Sequence, residues 1–222
     1  MTNVLFRGIA NGFPFIIRDV DNYRSSGVSC RLLELSEGVA SAVCFNPLCL
    51  NQPYMMSFQE QIRDFTSSHP VSEALILGCG GCAIPRFLLT SYPQIHITGI
   101  EKSHILIECA KQFFLFDISI ANFDLINGDA FSFISSDSDK KYDIILVDLF
   151  DGAEFCRAAA SFEFINALSF CCKKDAIIGF NISTAQNDTI KTLLDNLKKC
   201  NLDISHFSGF EKSLIVYNWE KH

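Results

Sequence analysis

The segment Leu75-Ile76-Leu77-Gly78-Cys79-Gly80-Gly81-Cys82-Ala83-Ile84-Pro85-Arg86 constrains the fold of this chain most. Its apolar run suits a strand buried on both faces of a parallel sheet. Gly78 and Gly80 permit a tight turn and the close approach of a ligand to backbone, and a helix restarting near Ala83 can point its free amides at that ligand. Glycines after a strand are also simply a turn, so the motif takes its meaning from the next strand of the chain. That second strand, Ile95-His96-Ile97-Thr98-Gly99-Ile100, ends in Glu101. Nucleotide-binding units place an acid about 20 residues past the glycine turn, where it accepts hydrogen bonds from ribose hydroxyls. A lone Glu reads equally as a solvated loop charge, but strand, turn, helix, strand and acid within one unit favour the ribose.

From Glu73 onward strands and helices alternate, the pattern of a parallel sheet covered on both faces. The spacing predicts strands at 73–78, 95–101, 121–126, 142–148 and 175–182, and helices near 83–91, 103–115, 129–135, 154–171 and 184–200. The final runs, 202–208 and 212–218, are separated by only Gly209-Phe210-Glu211, too short for a crossover helix, and must pair as a hairpin. Before the sheet, Phe13 to Arg18, Cys30 to Leu35 and Val39 to Phe45 read as a small antiparallel unit with turns at Asp21-Asn22 and Glu37-Gly38. After Asn51-Gln52, a helix opens at Pro53 and carries Met55, Phe58, Ile62 and Phe65 on one face, a core-packing stripe. Ser135 to Lys141 reads as a solvated loop. The fold class expected is α/β, with a small β unit over residues 1–52 and a Rossmann-like domain over 53–222 whose parallel strands close with a C-terminal antiparallel hairpin, the sheet of S-adenosylmethionine-dependent methyltransferases.

A chain of 222 residues can bury a full core as one such domain with an appendage. No apolar run approaches the 18 or more residues of a membrane span. The first 25 residues hold Arg7, Arg18, Asp19 and Asp21 without a secretory core, so a cytoplasmic location away from membranes is expected. A net charge of −7 argues against nucleic acid as a partner and suits a cationic small substrate. The 10 cysteines are expected to be reduced thiols, because the chain is too long and too apolar to need disulfide staples. Cys79-Gly80-Gly81-Cys82 has a C-x-x-C form, but no second ligand pair accompanies it, and no metal is expected.

Two further acid positions fall where this architecture places ligand contacts. Asp129, in Gly128-Asp129-Ala130, can accept from an adenine amino group and can equally cap the following helix. The strand Tyr142 to Val147 delivers Asp148-Leu149-Phe150-Asp151-Gly152 at its carboxyl end, the edge where ligands of open α/β sheets bind. Asp148 and Asp151 there can hold a cationic amine and take its proton.

From Tyr54 to Asn181 these residues resemble the spermidine synthases, or polyamine aminopropyltransferases, and their shorter bacterial relatives. The resemblance implies that Gly78, Gly80, Gly81, Glu101 and Asp129 hold S-adenosylmethionine or its decarboxylated form as donor. It implies that Asp148 and Asp151 handle a small-molecule amine acceptor, with Asp148 the base for attack on the carbon beside the sulfonium. A homodimer stays open. The chain departs from the family's G-G-G-D-G-G at Gly81, where the Asp meets the donor's free amine, and at Cys82. It also reads Tyr54-Met55-Met56 where the family has Tyr-His-Glu, and Gly152 where a proline follows the acid pair. Aminopropyl transfer is therefore the leading expectation. Methyl transfer from intact S-adenosylmethionine and a non-catalytic nucleoside-binding or assembly role are the alternatives.

Overall fold

The computed structural model describes residues 2–23, 27–35, 38–44, 53–136, 139–208 and 213–218. Four strands, β1 (Thr2–Ala10), β2 (Phe13–Val20), β3 (Cys30–Leu35) and β4 (Gly38–Cys44), form one antiparallel sheet in that order. Helix α1 (Pro53–Ser68) leads to β5 (Glu73–Leu77), α2 (Ala83–Ser91), β6 (His96–Glu101), α3 (His104–Cys109), β7 (Phe123–Asn127), α4 (Ala130–Ile134) and β8 (Tyr142–Val147). Then come a two-stranded hairpin of β9 (Phe150–Asp151) and β10 (Glu154–Phe155), α5 (Phe162–Phe170), β11 (Cys172–Asn181), α6 (Asn187–Lys199), β12 (Asp203–Ser208) and β13 (Ser213–Asn218).

The large sheet runs β12-β13-β11-β8-β5-β6-β7. Strands β7, β6, β5, β8 and β11 are parallel, whereas β13 runs antiparallel to both β11 and β12. The order reverses between β5 and β8, because the chain leaves β5 toward β6 and β7 and returns to β8 on the other side. Side chains on β5 alternate between two cores. Ala74 and Ile76 pack with α1 and α2, whereas Leu75 and Leu77 pack with α4, α5 and α6. A strand covered on both faces must be apolar throughout, which is why this run looks the same from either side.

The small sheet lies against α3. Ala10, Phe15, Ile17 and Leu33 share a buried cluster with Leu106, Cys109 and Phe114. Past Cys109 the helix continues as a π-helical turn, Ala110–Phe114. Arg31 donates to the carbonyl of Phe113 at 2.9 Å, and the buried Arg86 donates to that of Phe114 at 2.9 Å while pairing with both oxygens of Asp117. These guanidinium groups satisfy carbonyls that a widened helix end leaves without amide partners.

Three expectations change. Strand β1 was not legible, because a bulge between Val4 and Phe6 breaks its period of two and Gly8 leaves room for the Phe15 ring. The helix expected over 154–171 starts only at Phe162, capped by Ser161, since the preceding residues form the β9–β10 hairpin and a short 3₁₀ turn, Arg157–Ala160. The cysteines are not all thiols. Cys30 and Cys44 face each other across β3 and β4 and form a disulfide, while Cys79, Cys82, Cys109, Cys156, Cys171, Cys172 and Cys200 are free. The expected turns at Glu37, Asn51-Gln52 and Gly209-Phe210-Glu211, residues Asp137 and Ser138 of the solvated loop, Phe45 and Cys49, and the boundary at residue 52 lie outside the described residues. Among those described, no helix is long and apolar enough to cross a membrane. Thiol titration of the denatured protein should return two more thiols after reduction than before, and Cys30→Ser should abolish that difference; equal counts would place Cys30 and Cys44 in the thiol form.

Candidate active site

The carboxyl ends of β5 and β8 meet at Gly78. Its φ is +86°, and a Cβ there would stand 2.1 Å from the carbonyl oxygen of Asp148, so glycine is required on both conformational and steric grounds. Beyond it the glycine turn is held by Glu101 at the end of β6. One carboxylate oxygen accepts from the amides of Cys79 and Gly80, at 3.2 and 2.9 Å, and the other accepts from Ser103 N–H at 2.9 Å. Glu101 is only 7% exposed. A carboxylate has about four lone-pair sites, so three amides leave about one for a ligand hydroxyl. Gly81 turns away from the opening toward the small sheet: its N–H donates to Ser41 Oγ at 2.9 Å, and a Cβ on Gly81 would stand 2.8 Å from Ser41 Cβ. The neighbouring C-x-x-C pair is packed inside. A hydrogen bond to Cys82 and burial push the Cys79 thiol well above its usual range, which keeps it protonated.

Asp148 follows β8. Its Oδ1 accepts from Asn181 Nδ2 at 2.7 Å, and its Oδ2 accepts from the Tyr54 hydroxyl at 3.4 Å. Burial, with a contribution from the charge of Glu101, pushes its carboxyl up to about 7, against the hydrogen bonds from Asn181 and Tyr54 that favour the anion. The Tyr54 phenol is pushed well above its ordinary value by burial and by Asp148, so it remains a neutral donor. Asp151 is exposed in the β9–β10 hairpin, where burial and Asp151 together raise the Cys156 thiol. Asp129 caps α4, accepting from Ser132 N–H at 2.9 Å.

These groups line one cavity of about 500 Å³ roofed by the small sheet. Of the seven residues singled out from sequence, Gly78, Gly80, Glu101, Asp129, Asp148 and Asp151 line it, and Gly81 does not. Sequence reasoning missed the part of Asn181, although the signal was there: it ends the apolar run of β11 one register step past the Phe180–Val147 pair, level with Asp148. Ser41 carried no such signal, because its meeting with Gly81 depends on how the two sheets pack.

Residues 55–208 match the family described as the spermine/spermidine synthase domain. The chain belongs to this family. A probable polyamine aminopropyl transferase of Bifidobacterium longum (strain NCC 2705) is 27% identical over 152 residues, which are 63% of this chain and 33% of that protein. The chain spans about a third or less of the length of the curated relatives it matches. Among solved structures, a probable spermidine synthase from Corynebacterium glutamicum ATCC 13032 superposes with a TM-score of 0.80 at 18% identity, over 96% of this chain and 79% of that one. A spermidine synthase in complex with the transition-state analogue AdoDATO superposes at 0.69 and 13% identity, over 97% of this chain and 74% of that one. These likenesses establish a methyltransferase-like fold with a separate antiparallel sheet.

In this spermidine synthase family member, Glu101 ties three backbone amides into the turn, so Glu101→Ala should lower folding stability by about 1–3 kcal/mol even without ligand. Chemical denaturation checks this, and unchanged stability would mean that water replaces the carboxylate without loss. Asp148 carries a second signature. Its carboxyl titrates near 7 in the folded protein against 3.8 ordinarily, so the fold holds an extra proton between those values. Stability from this group is full below about pH 4 and is lost as pH rises to about 7. The stability of Asp148→Asn relative to wild type should therefore grow from pH 4 to pH 7 and level off above. A flat difference would remove the raised titration.

Proposed function

We propose that this chain is an aminopropyltransferase-like enzyme that binds an S-adenosyl sulfonium donor in the roofed cavity and activates an amine acceptor with Asp148. The observation that carries the reading is the half-buried Asp148 carboxyl held between Asn181 and Tyr54, level with the glycine turn and pushed up to about 7. A general base works best when its pKa lies near the working pH. The AdoDATO complex of the similar spermidine synthase supports an adenosyl ligand for this fold. Gly78 and Gly80 let the donor approach backbone, Glu101 keeps about one acceptor site for a ribose hydroxyl, and Asp129, also in the lining, receives the base.

In the transfer, the acceptor ammonium first gives a proton to the Asp148 carboxylate, whose oxygens Tyr54 and Asn181 hold in place. The lone pair so freed on nitrogen forms a bond to the carbon attached to sulfur. The carbon–sulfur bond breaks, its electron pair stays on sulfur, the sulfonium becomes a neutral thioether, and the product nitrogen carries the positive charge as a secondary ammonium. Asp151, exposed at the rim, draws the ammonium toward the mouth.

One observation favours a second reading. Where an acid would meet the amine of a decarboxylated donor, Gly81 faces Ser41 and has no room for a side chain unless Ser41 moves. A donor tail there meets a neutral hydroxyl, which fits methyl transfer from intact S-adenosylmethionine. Calorimetric titration with the intact and the decarboxylated donor separates the two: preference for the decarboxylated form supports aminopropyl transfer, and the reverse supports methyl transfer. Asp148→Asn should cut turnover by about 10²–10⁴ while donor affinity stays within about tenfold. Turnover in wild type should rise with pH through about 7. Asn181→Ala, which removes a bond that favours the carboxylate, should move that limb to higher pH. Full turnover by Asp148→Asn would end the general-base assignment.

A further inference from the structure

Asp148 follows β8, which lies between β5 and β11 in the sheet, so strand order gives the cavity two sides about it. On one side lie the glycine turn, Glu101 and the loop at Asp129. On the other side the walls are Phe13 from the tip of the β1–β2 hairpin, Phe150, Gly152 and Ala153 from the β9–β10 hairpin, and Ser183 and Thr184 after β11. Among the described residues, this second side holds no charged group apart from Asp151, which is exposed to solvent. Among the described lining residues the only cation is Lys102, next to Glu101 on the first side. Helix α1 adds Tyr54 to the lining and no second acid: Met55 is in the core, and Met56 is 56% exposed away from the cavity. The Phe13 ring, partly exposed, lies at the cavity edge, 2.8 Å from where a Cβ on Gly152 would be, and the φ of +65° at Gly152 lets the loop bend beneath it.

We propose that the acceptor is an amine with one positive charge and an uncharged tail, its nitrogen at Asp148 and its tail along Phe150 toward Phe13. This rests on the transferase reading above and names its substrate class. The tail side offers apolar and neutral polar surface, which rewards burial of hydrocarbon. A second ammonium at the far end of the acceptor would leave water for walls with no buried counter-charge among the described residues, and burying an unpaired charge is strongly unfavourable. Pairing it with Asp151 recovers little, because an ion pair in contact with solvent is screened and weak. Thr184, whose hydroxyl accepts from Phe155 N–H at 2.8 Å, does not substitute as a counter-charge, since it is neutral.

The test compares butylamine and hexylamine with 1,4-diaminobutane and 1,6-diaminohexane as acceptors for whichever sulfonium donor binds. Hexylamine should exceed the six-carbon diamine at least tenfold in kcat/KM and should exceed butylamine. Phe13→Ala should erase the gain with chain length without changing donor affinity, and Phe13→Asp should turn the preference toward the diamine. Equal or better use of the diamines by wild type overturns this inference and leaves the transferase reading standing. If no amine is turned over, calorimetric titration of the same four amines into the protein saturated with the thioether product reads the same preference, and tighter diamine binding overturns the inference. Failure of every adenosyl donor and product to bind overturns both.

Discussion

At the junction of β5 and β8, the backbone of Gly78 lies against the carbonyl of Asp148 with no space for a Cβ. That approach brings the turn after one strand and the acid after the other to the same edge, where the sheet order reverses and the loops on either side part. An open α/β sheet leaves a crevice at such a point, and everything chemically distinctive in this chain surrounds it. The approach also depends on the ladder running to its limit. Gly78 donates to the Ile100 carbonyl and Asp148 to the Leu77 carbonyl, so three parallel strands reach the crevice in register.

Two carboxylates share this cavity but are held in different ways. Glu101 accepts three backbone amides, which compensate its burial and make it part of the turn as much as of any binding site. Asp148 has two neutral side-chain donors and a nearby negative charge, a poorer compensation that leaves its proton tightly held. One acid is thus tied into the turn, and the other is the one proposed above as the base. The difference arises from partners supplied by β11 and α1, elements distant from both acids in sequence.

The small sheet does more than append to the larger one. Its hairpin tip places Phe13 over the β9–β10 loop, and Ser41 of β4 takes the amide of Gly81. The roof therefore lines the cavity with Phe13 beside the β9–β10 hairpin and with Ser41 beside the glycine turn. Its own attachment is an apolar cluster with α3, together with arginines that hold the π-helical turn. Methyltransferase-like sheets share the crevice, and here the small sheet adds its own residues to the lining.

The parallel sheet was legible in the sequence because strands buried on both faces are largely apolar, and the apolar runs of β5, β6 and β8 break at their ends into glycines and acids. The ends of α2, the strand ending in Glu101 and the acids after β8 all came from such local rules. Strand β1 did not, since its bulge hides the alternation, and neither did the β9–β10 hairpin, whose two-residue strands are too short to show a period. The Cys30–Cys44 pairing arises from the register of β3 against β4, which no spacing along the chain specifies. Local sequence thus determined the sheet, its glycine turn and the residues able to do chemistry. Tertiary structure alone decided that Glu101 is engaged by the turn, that Tyr54 and Asn181 hold Asp148, and that Phe13 lies against Gly152. Those outcomes depend on burial and on partners brought together from separate elements, and free energies of desolvation and pairing exist only once the chain has folded around them.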